Sequence, residues 1–346
     1  DYRNRIDYKS EDEIGRLADS FESMRVSLRT ARSELIRGER LSAIGKAASV
    51  SSPDRQSLGP PIETVRFDGV GGVTLAADIG GDPVNQPVML LHGGGQTRHS
   101  WGGTMDELIR RGFHVVSVDL RGHGDSDWSP DGDYGGYLFP GDVDKVARHF
   151  DRPVLVGASL GGISALMAVY RADPPVASAL ILVDVAPRLE PVGVERIREF
   201  MHEHIETGFA SLDEVADAIQ AYNPHRPRPT NLAGLEKNVR FRNGRWYWHW
   251  DPAFMLGRHS DSDETRIAEF KKRSGDLEDA ARALTIPTLL VRGRQSDLLS
   301  VEGAQRFLEL APHSEFIDVA DAGHMVAGDR NDVFTDAVVD FLDRFA

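Results

Sequence analysis

The chain of 346 residues carries 40 Lys+Arg against 54 Asp+Glu, a formal net charge of −14. That balance excludes nucleic acid as the expected partner, because neutralising phosphates needs clustered Lys and Arg. The lack of cysteine removes disulfides, thiolate nucleophiles and Cys-ligated metal sites, and no apolar run reaches the roughly 20 residues of a membrane-spanning helix.

In chain order, residues 1–50 differ from the rest. They hold ten basic and nine acidic side chains, so the acidity lies beyond them. Ile14, Leu17, Phe21, Met24, Leu28, Ala31 and Leu35 alternate spacings of three and four, which is a heptad seam. One seam cannot bury itself, and a parallel homodimer through residues 11–45 is expected. "DEIGRLADSFESM" (Asp12 to Met24) resembles the second helix of a HAMP signalling module, and "ERLSAIGKAA" resembles the linker that follows it in sensor kinases. The resemblance covers about 45 residues and lacks a first helix. Kinases place a phospho-accepting His soon afterwards; none occurs before His92, so no kinase chemistry follows. Residues 51–61, "SSPDRQSLGPP", read as a linker. The absence of a signal peptide points to the cytoplasm. A start at Asp1 rather than Met leaves a longer, membrane-anchored parent as the alternative expectation.

From residue 62 onward, strands and helices alternate. "IETVRF" and "GVTLAADIG" predict an opening two-strand unit, "PVMLLHG" a buried strand, and Trp101 to Arg111 a helix. "FHVVSVDLRG" predicts a strand, followed by a helix ending near Phe150. Then come "RPVLVGAS" (strand), "LGGISALMAVYRA" (helix) and "ASALILVDV" (strand). After a long mixed stretch, "PTLLVRG" and "SEFIDVAD" supply two more strands, with helices over Val301 to Leu310 and Val333 to Phe345. This alternation predicts an α/β fold, a mostly parallel sheet with helices on both faces. Chemistry in such sheets gathers at the carboxyl ends of the strands.

Three residues stand at such ends. "GASLG" (Gly157 to Gly161) is a G-x-S-x-G sequence at a strand-to-helix junction, where small residues allow a tight turn that lifts Ser159 into a cleft. A serine needs a base, and His324 in "DAGHM" follows the last strand. An imidazole base needs an orienting carboxylate. Asp297 in "VRGRQSDLLS" is the first choice, and Asp184 in "LVDVAP", which also ends a strand, is the competitor. "LLHGGGQ" places bare glycines after a strand, so the N–H groups of Gly94 and Leu160 are the expected oxyanion donors.

The order Ser…Asp…His, with "DLRGHGDSD", "GASLGG" and "GRQSD…GHM", resembles the α/β-hydrolase superfamily over about residues 62–346. It is most similar to the branch of serine esterases and cofactor-free haloperoxidases. Serine at position 159 departs from epoxide hydrolases and haloalkane dehalogenases, which use Asp there. The resemblance implies no cofactor or metal, a small ester-like substrate, and a helical cap at about residues 186–284. "RWYWHWDPAF" is the cap's densest feature; Trp246, Trp248 and Trp250, with Trp101 and Trp128, are candidate pocket residues. His202-Glu203-His204 reads as a solvated helix face rather than a metal site. "SPDGDYGG" lacks calcium-loop spacing, and "GVGG" at Gly69 precedes its strand, against dinucleotide binding.

The expected function is hydrolysis of carboxylic esters or lactones through an acyl-enzyme on Ser159. Two alternatives stand beside it: perhydrolysis on the same residues, and a hydrolase-fold small-molecule sensor that signals through the leader helix.

Overall fold

A computed structural model describes residues 61–224, 228, 232–256, 263–320, 322–324 and 331–344. The expected leader helix, the HAMP-like stretch and the expected dimer seam of residues 11–45 lie outside them.

The sheet has eight strands: β1 (Glu63–Asp68), β2 (Thr74–Gly80), β3 (Pro87–Leu91), β4 (His114–Val118), β5 (Val154–Ala158), β6 (Ala179–Val183), β9 (Thr288–Gly293) and β10 (Glu315–Val319). Their order is β1-β2-β4-β3-β5-β6-β9-β10. The first two are antiparallel at one edge, and pairing is parallel from β4 to β10. Strand residues alternate between two apolar layers. On one face Met89, Leu91, Leu155, Leu180 and Leu182 meet α2 (Leu138–Ala147), α3 (Leu160–Arg171), α7 (Asp263–Arg282) and α8 (Val301–Leu310). On the other, Val88, Leu90, Val156 and Ile181 meet α1 (Gly102–Arg110) and α9 (Asn331–Leu342). The central strands are buried on both faces, which is why they read as unbroken apolar runs.

Between β6 and β9 the chain builds α4 (Pro191–His202), α5 (Leu212–Tyr222), a 3₁₀ stretch at Leu232–Asn238, a hairpin of β7 (Val239–Arg242) and β8 (Arg245–Trp248), α6 (Pro252–Leu256) and α7. All but α7 share a core of their own, with Met201, Phe209, Val215, Trp248 and Trp250. The hairpin is absent from the sequence reading, which treats this stretch as helical. "FRNGRW" carries the Asn-Gly turn signal, and Asn243 and Gly244 both take positive φ there.

The HEH stretch also departs from expectation. α4 ends at His202, and His204 turns left-handed at φ 61 and packs its ring 4.3 Å from that of Phe209. Among the described residues, no helix is long and apolar enough to cross a membrane.

Candidate active site

Ser159 sits between β5 and α3 at φ 46, ψ −114, a conformation that costs a non-glycine residue about 1–3 kcal/mol. Its glycine neighbours make the turn sterically feasible. A Cβ on Gly161 would lie 2.4 Å from the Leu91 carbonyl oxygen, and one on Gly157 would lie 2.5 Å from the Gly162 nitrogen. The strand, the elbow and the helix therefore approach closer than any side chain permits.

His324 follows β10 and pairs with a carboxylate, but not the expected one. Its Nδ1 lies 2.7 Å from Oδ2 of Asp184, whose side chain is fully buried. The same Oδ2 accepts the Ser296 hydroxyl at 2.5 Å, and Oδ1 accepts the Gly293 N–H at 3.0 Å. Asp297 is instead turned outward, 2.6 Å from Arg196 of α4 and partly exposed. The cause is the turn after β9. Ser296 Oγ accepts the N–H groups of Leu298 and Leu299, so the loop curls with Ser296 inward, and the backbone of Asp297 packs against Gly193. Asp184 needs no such excursion. It follows β6 directly, at φ 50, with its N–H bonded to Val291 of the adjacent strand.

The glycine loop after β3 runs beside the elbow, since a Cβ on Gly93 would lie 3.4 Å from that of Ser159. The Gly93 N–H donates to Gln96 Oε1 and the Gly95 N–H to His123 Nε2. Between them, Gly94 faces the cavity, as does Leu160, the first residue of α3.

Three buried imidazoles, missed in the sequence, hold this loop. His92 Nε2 accepts the Leu120 N–H, so its Nδ1–H donates to the Gly93 carbonyl. His123 Nε2 accepts from Gly95, so its Nδ1–H donates to the Arg121 carbonyl. His249 accepts the Gly124 N–H and returns Nε2–H to the Gly95 carbonyl at 3.3 Å. Burial pushes His92 down to about 4 and His123 down to about 3, and holds His249 well below the ordinary range. The neutral state is required, because a charged imidazole cannot accept an N–H. The one signal in the sequence was "RGHGDSD", where Gly124 is also needed: a Cβ there would meet the Asp119 carboxylate. That carboxylate in turn binds the Arg98 guanidinium and the Arg98 N–H.

Ser159 and His324 line one cavity of about 810 Å³. Of the five tryptophans, Trp101, Trp248 and Trp250 line it, the last two stacked 4.7 Å apart. Trp128 does not; it is 41% exposed to solvent. Trp246 lies away from the cavity as well, packed on Phe241 of the hairpin. Two residues apart on β8, Trp246 and Trp248 share a face of the strand; Trp248 is buried in the core of the inserted segment, whereas Trp246 packs only partly against that core.

A mostly parallel eight-stranded sheet with a strained serine, a buried carboxylate–imidazole pair and a glycine loop at its strand ends defines an α/β hydrolase. The chain belongs to this family: the alpha/beta hydrolase family model matches residues 88–337. It is a hydrolase, and its esterase relatives place it among ester hydrolases at family level. Esterase Rv0045c of Mycobacterium tuberculosis is 30% identical over 264 residues, 74% of this chain and 82% of that protein. The 3-hydroxybutyrate-oligomer hydrolase of Cupriavidus necator is 30% identical over 256 residues, 70% and 84% respectively. A crystal structure of the M. tuberculosis esterase superposes with a TM-score of 0.65 at 28% identity, covering 88% of this chain and 97% of that one. The fold is shared with E-2-(acetamidomethylene)succinate hydrolase, at a TM-score of 0.70 and 23% identity, covering 82% of this chain and all of that one.

Proposed function

We propose that the protein hydrolyses carboxylic esters through an acyl-enzyme on Ser159, with His324 as base and Asp184, in place of Asp297, as the orienting acid. The observation that carries this reading is the buried Asp184–His324 hydrogen bond at the edge of the cavity that also receives the strained Ser159. Asp184 accepts the Nδ1–H, which leaves Nε2 bare to take the serine proton. The serine oxygen then bonds to the acyl carbon. His324 returns the proton to the departing alcohol, and then activates water to release the acid and restore the serine. The N–H groups of Gly94 and Leu160 stabilise the oxyanion, each by about 3 kcal/mol. The relatives named as an esterase and as a 3-hydroxybutyrate-oligomer hydrolase agree with an ester substrate. The segment between β6 and β9 acts as a cap, since its Met201, Trp248, Trp250 and Phe254 line the cavity.

A fluorophosphonate probe is expected to label Ser159, and Ser159→Ala is expected to lose p-nitrophenyl ester turnover. Full activity in that variant overturns the proposal.

A further inference from the structure

The cavity wall has a charge pattern opposite to that of the whole chain. In a protein of net charge −14, the described wall contains Arg198 and Lys237 and no Asp or Glu. Arg198 is there by helical register. Val194, Ile197, Arg198 and Met201 recur at i, i+3, i+4 and i+7 on α4, and all four line the cavity. Arg196, on another face of the same helix, is paired with Asp297. Lys237 comes from the 3₁₀ stretch together with Leu235 and Asn238. Neither Arg198 nor Lys237 has a carboxylate partner among the described residues. Lys237 also acts on the wall itself: burial first, and then the charges of Arg98 and Lys237, depress the titration of His99.

Arg198 is half-buried on this largely apolar wall and Lys237 stands exposed at its edge, and neither gains a counter-charge from the described residues. An anion in the cavity would supply that counter-charge through charge-assisted hydrogen bonds, for which a guanidinium and a carboxylate are matched in geometry. The volume of about 810 Å³ is that of a site for a small molecule of appreciable length.

We propose that the preferred substrate is an ester carrying a carboxylate remote from the scissile bond, with Arg198 and Lys237 as the specificity-determining residues that receive it. This rests on the serine hydrolase reading above and adds the substrate class to it.

The test compares matched charged and neutral esters after subtraction of spontaneous hydrolysis. One pair places the charge on the acyl side, p-nitrophenyl hydrogen adipate against p-nitrophenyl hexanoate. The other places it on the alcohol side, 4-carboxyphenyl hexanoate against phenyl hexanoate. In at least one pair, kcat/KM is expected to favour the charged ester by about tenfold, chiefly through KM. The ratio should fall to near one in the Arg198→Met/Lys237→Met double variant and persist in Arg198→Lys, which keeps the charge. A wild-type ratio of one or less in both pairs, or a ratio that survives the double substitution, overturns the proposal. If no ester of either pair is turned over, the serine hydrolase reading fails separately. The charge preference is then read by calorimetry on Ser159→Ala, with adipanilic acid against hexananilide. Tighter binding of the acid by about tenfold supports it, and equal binding overturns it.

Discussion

Asp184 and Asp297 differ in a way that only three dimensions reveal. Both follow a strand, and the order Ser…Asp…His holds for either, so neither spacing nor order could choose between them. What decides is direction. The chain leaves β6 through a single left-handed residue and delivers Asp184 at once, whereas three residues separate Gly293 from Asp297, and the serine at 296 takes the inward place. Ser159, His324 and the glycine loop, which the structure brings to one cavity, were legible because each carries a local pattern. The carboxylate that meets His324 was not, because its pattern is shared. We expect Asp184→Asn to lower kcat for p-nitrophenyl acetate by about 10⁴-fold, through loss of the tautomer that leaves Nε2 bare. Asp297→Asn is expected to change kcat by less than about threefold, since its ion pair is partly exposed. The reverse ranking would restore Asp297 as the acid.

At the level of elements, the sheet was readable almost strand by strand, because its interior strands are buried on both faces and stand out as short apolar runs. The β7–β8 hairpin was not, because its strands span only four residues each and its aromatic residues suit either a wall or a core. The junction of β5 and α3 is the element most constrained by contact. Gly161→Ala would force a methyl group into the backbone of β3 and is expected to destabilise the fold by about 2–4 kcal/mol. Urea denaturation, read as a lower midpoint, checks this. Wild-type stability in that variant would mean that the helix can move away from β3 without cost.

For the whole molecule, the buried imidazoles couple stability to acidity. His92 and His123 titrate near 6.5 when unfolded and are pushed down to about 4 and about 3 in the fold. Between these limits the unfolded chain binds more protons than the native one, so stability is lost as pH falls from about 6.5. The urea midpoint is therefore expected to drop between pH 7 and pH 5, a range in which ordinary carboxylates stay largely ionised. His123→Gln, which cannot titrate, should flatten that slope even if it lowers the midpoint throughout. An unchanged slope would show that the imidazoles do not set it.

The Asp184–His324 hydrogen bond spans 140 residues of sequence, and the entire inserted segment lies within that span. Ser159 and Asp184, the proposed nucleophile and acid, both belong to one compact β5–α3–β6 unit upstream of the insertion, and only His324, the proposed base, comes from beyond it. The insertion can therefore be lengthened, shortened or exchanged without disturbing the spacing of Ser159 and Asp184. A replacement must return the chain to β9 beside β6 and must keep the hold that His249 has on the Gly95 carbonyl and the Gly124 N–H. Substrate choice, carried by Arg198, Lys237 and the aromatic wall, is in this sense modular with respect to chemistry, and a transplanted insertion should redirect specificity while inheriting the same nucleophile and acid.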